Sequence, residues 1–231
     1  MKKNKEGCDL QSCFFCRLCV KEWLPAVETN RKTFTVKKGE KLINEGDIVT
    51  GIYFVNAGKV KVHKKWGEDK ELIIRIANKG AIFGHRGLGD LASSPISATA
   101  LEESIVCFIE IDFFLTSLKV NSDLLYQLMM FFAEDLQLSE NKMRDLAHMP
   151  VKGRVAFSLL QLEKSFGTTK DGFLDIVLSR QDLASFSGTT YETVFRIISE
   201  LTEANVIKVS GKNIGLLNKD KLAYFSKEGD T

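Results

Sequence analysis

From Ser122 to Ala147 the chain carries neither glycine nor proline, whereas Gly39, Gly46, Gly58, Gly67, Gly80 and Gly84 interrupt the stretch before it at short intervals. That contrast confines the fold to a β-rich region followed by a long helix. Thr33-Phe34-Thr35-Val36, Ile52-Tyr53-Phe54-Val55 and Val60-Lys61-Val62 read as short strands between glycine turns. Many short strands with frequent turns favour a barrel or jelly roll over a parallel sheet. Pro150 ends the helix. Along it, Leu125, Leu128, Phe132, Leu136, Ser139, Met143 and Leu146 approximate a three-and-four spacing, and Leu124, Met129, Met130 and Phe131 occupy its other faces. A helix apolar on several sides needs several burying surfaces, here the β region and a second copy of itself. A homodimer is therefore expected.

Beyond Pro150 the pattern predicts a helix over Val151–Phe166, a strand over Phe173–Leu178, two further helices, and strands near Val206–Val209 and Ile214–Leu217. The two helices carry the signature of a helix-turn-helix. Ser179 followed by Asp182 caps the first, Ala184 is small where the helices cross, and Gly188 suits the tight turn. Val194 and Ile197 face back onto the first helix, leaving Tyr191, Glu192, Phe195 and Arg196 to point away. A second helix of this kind enters the major groove of double-stranded DNA. Arg196 suits the O6 and N7 of guanine, and Glu192 the amino group of cytosine. Each also has a local role open to it: a capping box of Thr189 with Glu192, and an ion pair of Arg196 with Glu192. The expected DNA-facing set is Arg180, Thr189, Thr190, Tyr191, Glu192, Phe195 and Arg196. The net charge of +2 adds no argument for a polyanionic partner.

Cys13, Cys16 and Cys19 stand at two-residue spacing beside Cys8, and Cys107 lies far off in the apolar run Ser104-Ile105-Val106-Cys107-Phe108-Ile109. A short loop of thiolates with one remote cysteine is the ligand pattern of an iron–sulfur cluster. Zinc and reduced, unliganded thiols are the competing readings. Against zinc, the chain has no second C-x-x-C knuckle and its three histidines, His63, His85 and His148, are isolated. Lys2 and Lys3 are followed by Asn4-Lys5-Glu6-Gly7, not by an apolar stretch, and no later run approaches the roughly 18 apolar residues of a membrane span. The expectation is a soluble, cytoplasmic protein with no membrane partner, in a compartment that keeps thiols reduced.

The order of parts from residue 8 to residue 225 resembles the bacterial family of the cyclic-AMP receptor protein and the fumarate–nitrate reduction regulator. Lys38-Gly39-Glu40, Asn44-Glu45-Gly46-Asp47, Ile52-Tyr53-Phe54-Val55 and Gly58 resemble the turns of its β-roll, and Glu192 and Arg196 match its DNA-reading positions. The resemblance implies an α+β fold: a cysteine-rich cluster-binding segment at 1–30, a jelly-roll-like β-roll at 31–120, a dimerisation helix at 121–149 and a winged helix-turn-helix domain at 150–231. Ala100-Leu101-Glu102-Glu103-Ser104-Ile105-Val106-Cys107 resembles the segment that holds the internal cluster cysteine of the oxygen-sensing branch. By that match Cys13, Cys16, Cys19 and Cys107 hold a [4Fe-4S] cluster, with Cys8 as the alternate ligand. The spacing from Cys16 to Cys19 is shorter than in that branch, and Phe195 stands where it has a serine.

In the family the β-roll often binds a cyclic nucleotide, through a carboxylate for the ribose and an arginine for the phosphate. Here His85 and Ile96 take those places, which makes cyclic nucleotide the weaker effector. The expected function is a dimeric, sequence-specific transcription regulator switched by an oxygen- or redox-sensitive cluster. It would act on a pseudo-palindromic operator, with RNA polymerase as a further partner if it activates. Haem with nitric oxide, zinc and a disulfide switch are rival effectors, and a small electron carrier is the rival of another class. No Ser/His/Asp arrangement or phosphate-binding glycine loop speaks for an enzyme.

Overall fold

The computed structural model describes residues 2–4, 7–67, 70–89 and 93–227. The outermost ends of the expected domains, residue 1 and residues 228–231, lie outside them. The chain forms two compact units that divide between Leu136 and Gln137. Among the described residues, no helix is long and apolar enough to cross a membrane.

Among the described residues the first unit holds nine strands: β1 (Lys2–Asn4), β2 (Arg31–Val36), β3 (Lys41–Ile43), β4 (Gly51–Ala57), β5 (Val60–Trp66), β6 (Lys70–Ala77), β7 (Ile82–Phe83), β8 (Ser97–Ala100) and β9 (Ser104–Glu110). They form two antiparallel sheets, ordered β1-β2-β9-β4-β7 and β3-β8-β5-β6. A short helix α1 (Leu24–Asn30) precedes β2, and α2 (Ile111–Val120) leads from β9 into α3 (Ser122–His148).

The apolar runs of β4 and β9 follow from burial on both faces, which removes the polar alternation of a half-exposed strand. Val36, Val55 and Val106 point inward and pack with Val60, Val62 and Ile96. Their neighbours Ile52, Phe54, Cys107 and Ile109 point outward, into a second core with Phe15, Phe114 and Leu124. Gly51 opens β4 because a Cβ there would sit 2.3 Å from the Ile109 carbonyl oxygen.

Across β5 and β6, Glu71 pairs with Lys61, and its Oε2 lies 2.8 Å from His63 Nδ1. The imidazole beside it, and then Lys61, hold the Glu71 carboxyl down to about 2 from an ordinary value of about 4.5. A depressed carboxyl stabilises the fold fully above its unfolded value and loses that contribution as pH falls through the folded one. Glu71→Gln should therefore cost on the order of 2–3 kcal/mol at neutral pH. The gap from the parent should close as pH drops from about 4.5 towards about 2. Urea midpoints of both proteins against pH measure this.

The second unit contains the C-terminal part of α3, then α4 (Val151–Phe166), α5 (Arg180–Ser187), α6 (Tyr191–Glu203), the hairpin β10 (Ile207–Ser210) and β11 (Asn213–Leu216), and α7 (Lys219–Lys227). Two expectations are corrected. Phe173–Leu178 buries Leu174, Ile176 and Leu178 in strand-like alternation. It nevertheless forms no strand, because its ladder is limited to the bridge of Leu174 with Thr168 and one bond from its amide to Ile214 O. On α3, Leu128 belongs to the outer core of the first unit, and Met129 takes its place in the exposed apolar seam. That seam is Leu125, Met129, Phe132, Leu136 and Met143, in the a/d rhythm of a coiled coil.

Candidate functional site

Residues 7–23 lie across the outward face of β4 and β9. Phe15 anchors them: it is fully buried, with ring contacts of 5.3 Å to Phe54 and 5.7 Å to Phe114. The Phe14 amide donates to Gly80 O at 2.9 Å. A Cβ on Gly80 would lie 2.2 Å from Ser12 O, so only glycine admits the loop so close. Downstream, Val20 N donates to Asn121 Oδ1 at 2.7 Å and Trp23 Nε1 donates to Ser117 Oγ at 2.9 Å. The cysteine segment is thus tied to α2 and to the turn that starts α3.

These constraints bring Cys8, Cys13 and Cys16 together, with their Sγ atoms all within 4.8 Å of one another. Cys8 and Cys16 are 3.4 Å apart. Cys107 lies below them in mid β9, between Thr33 and Phe54 on the neighbouring strands. Thiol hydrogen bonds from Cys16 and Cys8 hold Cys13 well below the ordinary thiol range. Cys8 is pushed up, first by its bond to Cys107, and Cys107 is lowered by the same contact. Cys19 is buried outside the trio and rises to about 11 through burial and then the charge of Cys13. The sequence reading made Cys8 the alternate ligand. The fold instead brings Cys8 into the group and leaves Cys19 at its edge, because the strand register and the Phe15 anchor decide which sulfurs converge. A cavity of about 340 Å³, lined by Cys8, Cys16, Lys21, Leu24, Glu28 and Arg31 among others, opens beside the group.

Phe14 points the other way. Its ring lies 5.5 Å from that of Phe131 on α3, and Phe131 also meets His85 at 5.0 Å and the Arg75 guanidinium at 5.3 Å. Arg86 holds Asp135 at 2.6 Å, and Asp135 stands 3.8 Å from His85. Burial lowers the His85 pKa. Ile96 is buried between the sheets. Both positions that the resemblance compares with nucleotide-binding residues, His85 and Ile96, are thus buried. Sequence reasoning passed over Arg75, Phe131 with Asp135, and Phe14; two adjacent aromatics between cysteines were the available sign.

In the second unit, Ser179 caps α5 by accepting from Asp182 N at 3.0 Å, and Gly188 takes φ 66° at the turn. Arg154 of α4 braces that turn, donating to Ser187 O at 3.1 Å and Gly188 O at 3.2 Å. The cap of α6 is Thr190, accepting from Thr193 N, and not Thr189 as the capping-box reading had it. Val194, Ile197, Ile198 and Leu201 are buried, while Tyr191, Glu192, Phe195 and Arg196 are exposed on the opposite side. Arg196 pairs with Glu200 at 2.6 Å, which leaves Glu192 out of the expected i,i+4 pair. Arg180 reaches Gly211 O at 3.4 Å, in the turn of the β10–β11 hairpin. Two helices joined by a tight turn at Gly188, with an adjoining hairpin, compose a winged helix-turn-helix.

Residues 33–121 match the cyclic nucleotide-binding domain, and residues 153–225 match the Crp-like helix-turn-helix domain. The cAMP-activated global transcriptional regulator CRP of Salmonella typhimurium is 35% identical over 179 residues, covering 75% of this chain and 83% of that protein. The anaerobic regulatory protein of Bacillus subtilis is 32% identical over 200 residues, covering 84% and 82%. The solved structure of FixK2 from Bradyrhizobium japonicum superposes with a TM-score of 0.76 at 23% identity, over 87% of this chain and 99% of that one. A β-roll, a long helix and a winged helix-turn-helix in this order, with relatives of that kind matched over three quarters or more of the chain, place it in the CRP/FNR family of DNA-binding transcription regulators.

Proposed function

We propose that this regulator is a homodimer, paired through the exposed seam of α3, whose operator binding is switched by an iron–sulfur cluster, [4Fe-4S] in type, held by Cys8, Cys13, Cys16 and Cys107. The observation that carries it is the convergence of three thiols within 4.8 Å of one another, beside an open cavity, with Cys107 in the same outer core. The donor set fits: soft thiolates, largely buried, sharing negative charge that a metal centre neutralises. When bound, the cluster supplies oxygen- and redox-sensitive iron. The rest is done by the chain. Cys8, Cys13 and Cys16 belong to the N-terminal segment and Cys107 to β9, so a group that engages all four favours the ordered segment by mass action. The ordered segment sets Phe14 on Phe131, Val20 on Asn121 and Trp23 on Ser117, all at or next to the helix that bears the seam. An oxygen-linked signal agrees with the name of the Bacillus subtilis relative. RNA polymerase is the further partner if the bound operator activates.

A second reading, a single zinc, is favoured by how compact the trio is: sulfurs about 3.8 Å apart suit one tetrahedral ion with Zn–S of about 2.3 Å. Protein purified without oxygen separates the two. Brown protein with about four iron and four sulfide per chain supports the cluster, and a colourless protein with one zinc and no sulfide replaces it. For the nucleotide effector, cyclic AMP should leave operator affinity unchanged. A cyclic phosphate beside Ile96 would be desolvated without a cationic partner. A saturable gain in affinity on titration would reverse that reading.

A further inference from the structure

The exposed face of α6 carries two aromatic rings that the fold does not use. Phe195 is 57% exposed and Tyr191 44%, one helical turn apart, with ring centroids 6.4 Å from each other and planes at 22°. The opposite face, through Val194, Ile197, Ile198 and Leu201, supplies the packing that holds the helix. A phenylalanine left more than half exposed forgoes burial that the fold would otherwise gain. The pair is continuous with Glu192 and Arg196, the polar groups of the same face.

In the major groove the bases offer one apolar mark, the C5-methyl of thymine; every other distinguishing group is a donor or an acceptor. An aromatic ridge beside a guanidinium therefore meets its complement at a thymine next to the guanine that Arg196 reads. We propose that Phe195, supported by Tyr191, determines operator specificity by packing against a thymine methyl group in each half-site. This rests on the reading of α6 as the DNA-recognition helix. Phe195 cannot accept or donate a hydrogen bond, so it rejects cytosine at that position through the missing methyl and not through a polar clash.

The test uses the full-length protein in its operator-binding state and duplexes selected from a random pool. Each thymine of the selected half-site is replaced in turn by uracil, which deletes the methyl and keeps the hydrogen-bonding edge. One methyl contact is worth about a fourfold change in affinity, so replacement in both half-sites should weaken binding about fifteenfold. Phe195→Ser should abolish the penalty at that thymine while Arg196→Ala preserves it, and equal melting temperatures of parent and variants show that the domain is intact. A selected operator that is indifferent to uracil at every thymine would overturn the proposal alone. So would a penalty that persists undiminished in Phe195→Ser, or a Phe195→Ser protein that binds all duplexes equally less well. Selection that enriches no sequence would overturn the DNA-recognition reading, and this inference with it.

Discussion

Cys8→Ser and Cys107→Ser proteins purified without oxygen should contain essentially no iron, and Cys19→Ser should keep its full complement. The expectation comes from placement: the Sγ atoms of Cys8, Cys13 and Cys16 lie together, Cys107 shares the outer core beneath them, and Cys19 stands outside the trio. A hydroxyl at any ligand position is a poor donor to iron and leaves an open coordination site. Iron and sulfide analysis beside circular dichroism measures this, the second confirming that each variant is folded. Full iron in Cys8→Ser with none in Cys19→Ser would return the ligand set to Cys13, Cys16, Cys19 and Cys107, and full iron in Cys107→Ser would remove β9 from the site.

The second large effect concerns transmission. Phe14 sits between two of these cysteines yet turns its ring to Phe131, whose neighbour Phe132 belongs to the exposed seam. Phe14→Ala should bind iron normally but lose most of the dependence of dimerisation on iron. Allosteric couplings amount to about 1–3 kcal/mol, so the iron-dependent shift in the dimer dissociation constant should shrink about tenfold or more. Phe15→Ala provides the contrast. Phe15 is fully buried, and its removal should cost about 3–5 kcal/mol of stability whether or not iron is present. Anaerobic sedimentation of loaded and metal-free protein distinguishes the two. A Phe14→Ala protein whose dimerisation still follows iron like the parent's would place the transmission in the Val20–Asn121 and Trp23–Ser117 bonds instead.

Much of the architecture was legible because it rests on local signals. The run without glycine or proline from Ser122 became α3, and glycine-punctuated alternation became the two-sheet roll. Ser179, Ala184 and Gly188 marked the crossing of α5 and α6 because a cap, a close approach and a left-handed turn each restrict residue type. Local signals also misled where two neighbours were equally suitable. Thr189 and Thr190 both cap helices, and only the path of the chain into α6 selects Thr190. Leu128 and Met129 both fit a heptad, and only the sheet beneath α3 decides that Leu128 turns inward.

The sequence by itself determined the succession of a β-rich region, a long helix and a helix-turn-helix, and the presence of a thiol-rich segment, since periodicity and turn chemistry act over a few residues. Which thiols meet was decided by tertiary structure. Cys107 lies in the outer core beneath the trio because β9 is central and buried on both faces, and Cys8 joins the trio because Phe15 pins the intervening loop to Phe54 and Phe114. Likewise Asp135 is some fifty residues or more from Arg75, His85 and Arg86, and only packing of α3 on the roll brings it to them. Contacts of that range depend on register and packing, which spacing along one chain does not encode.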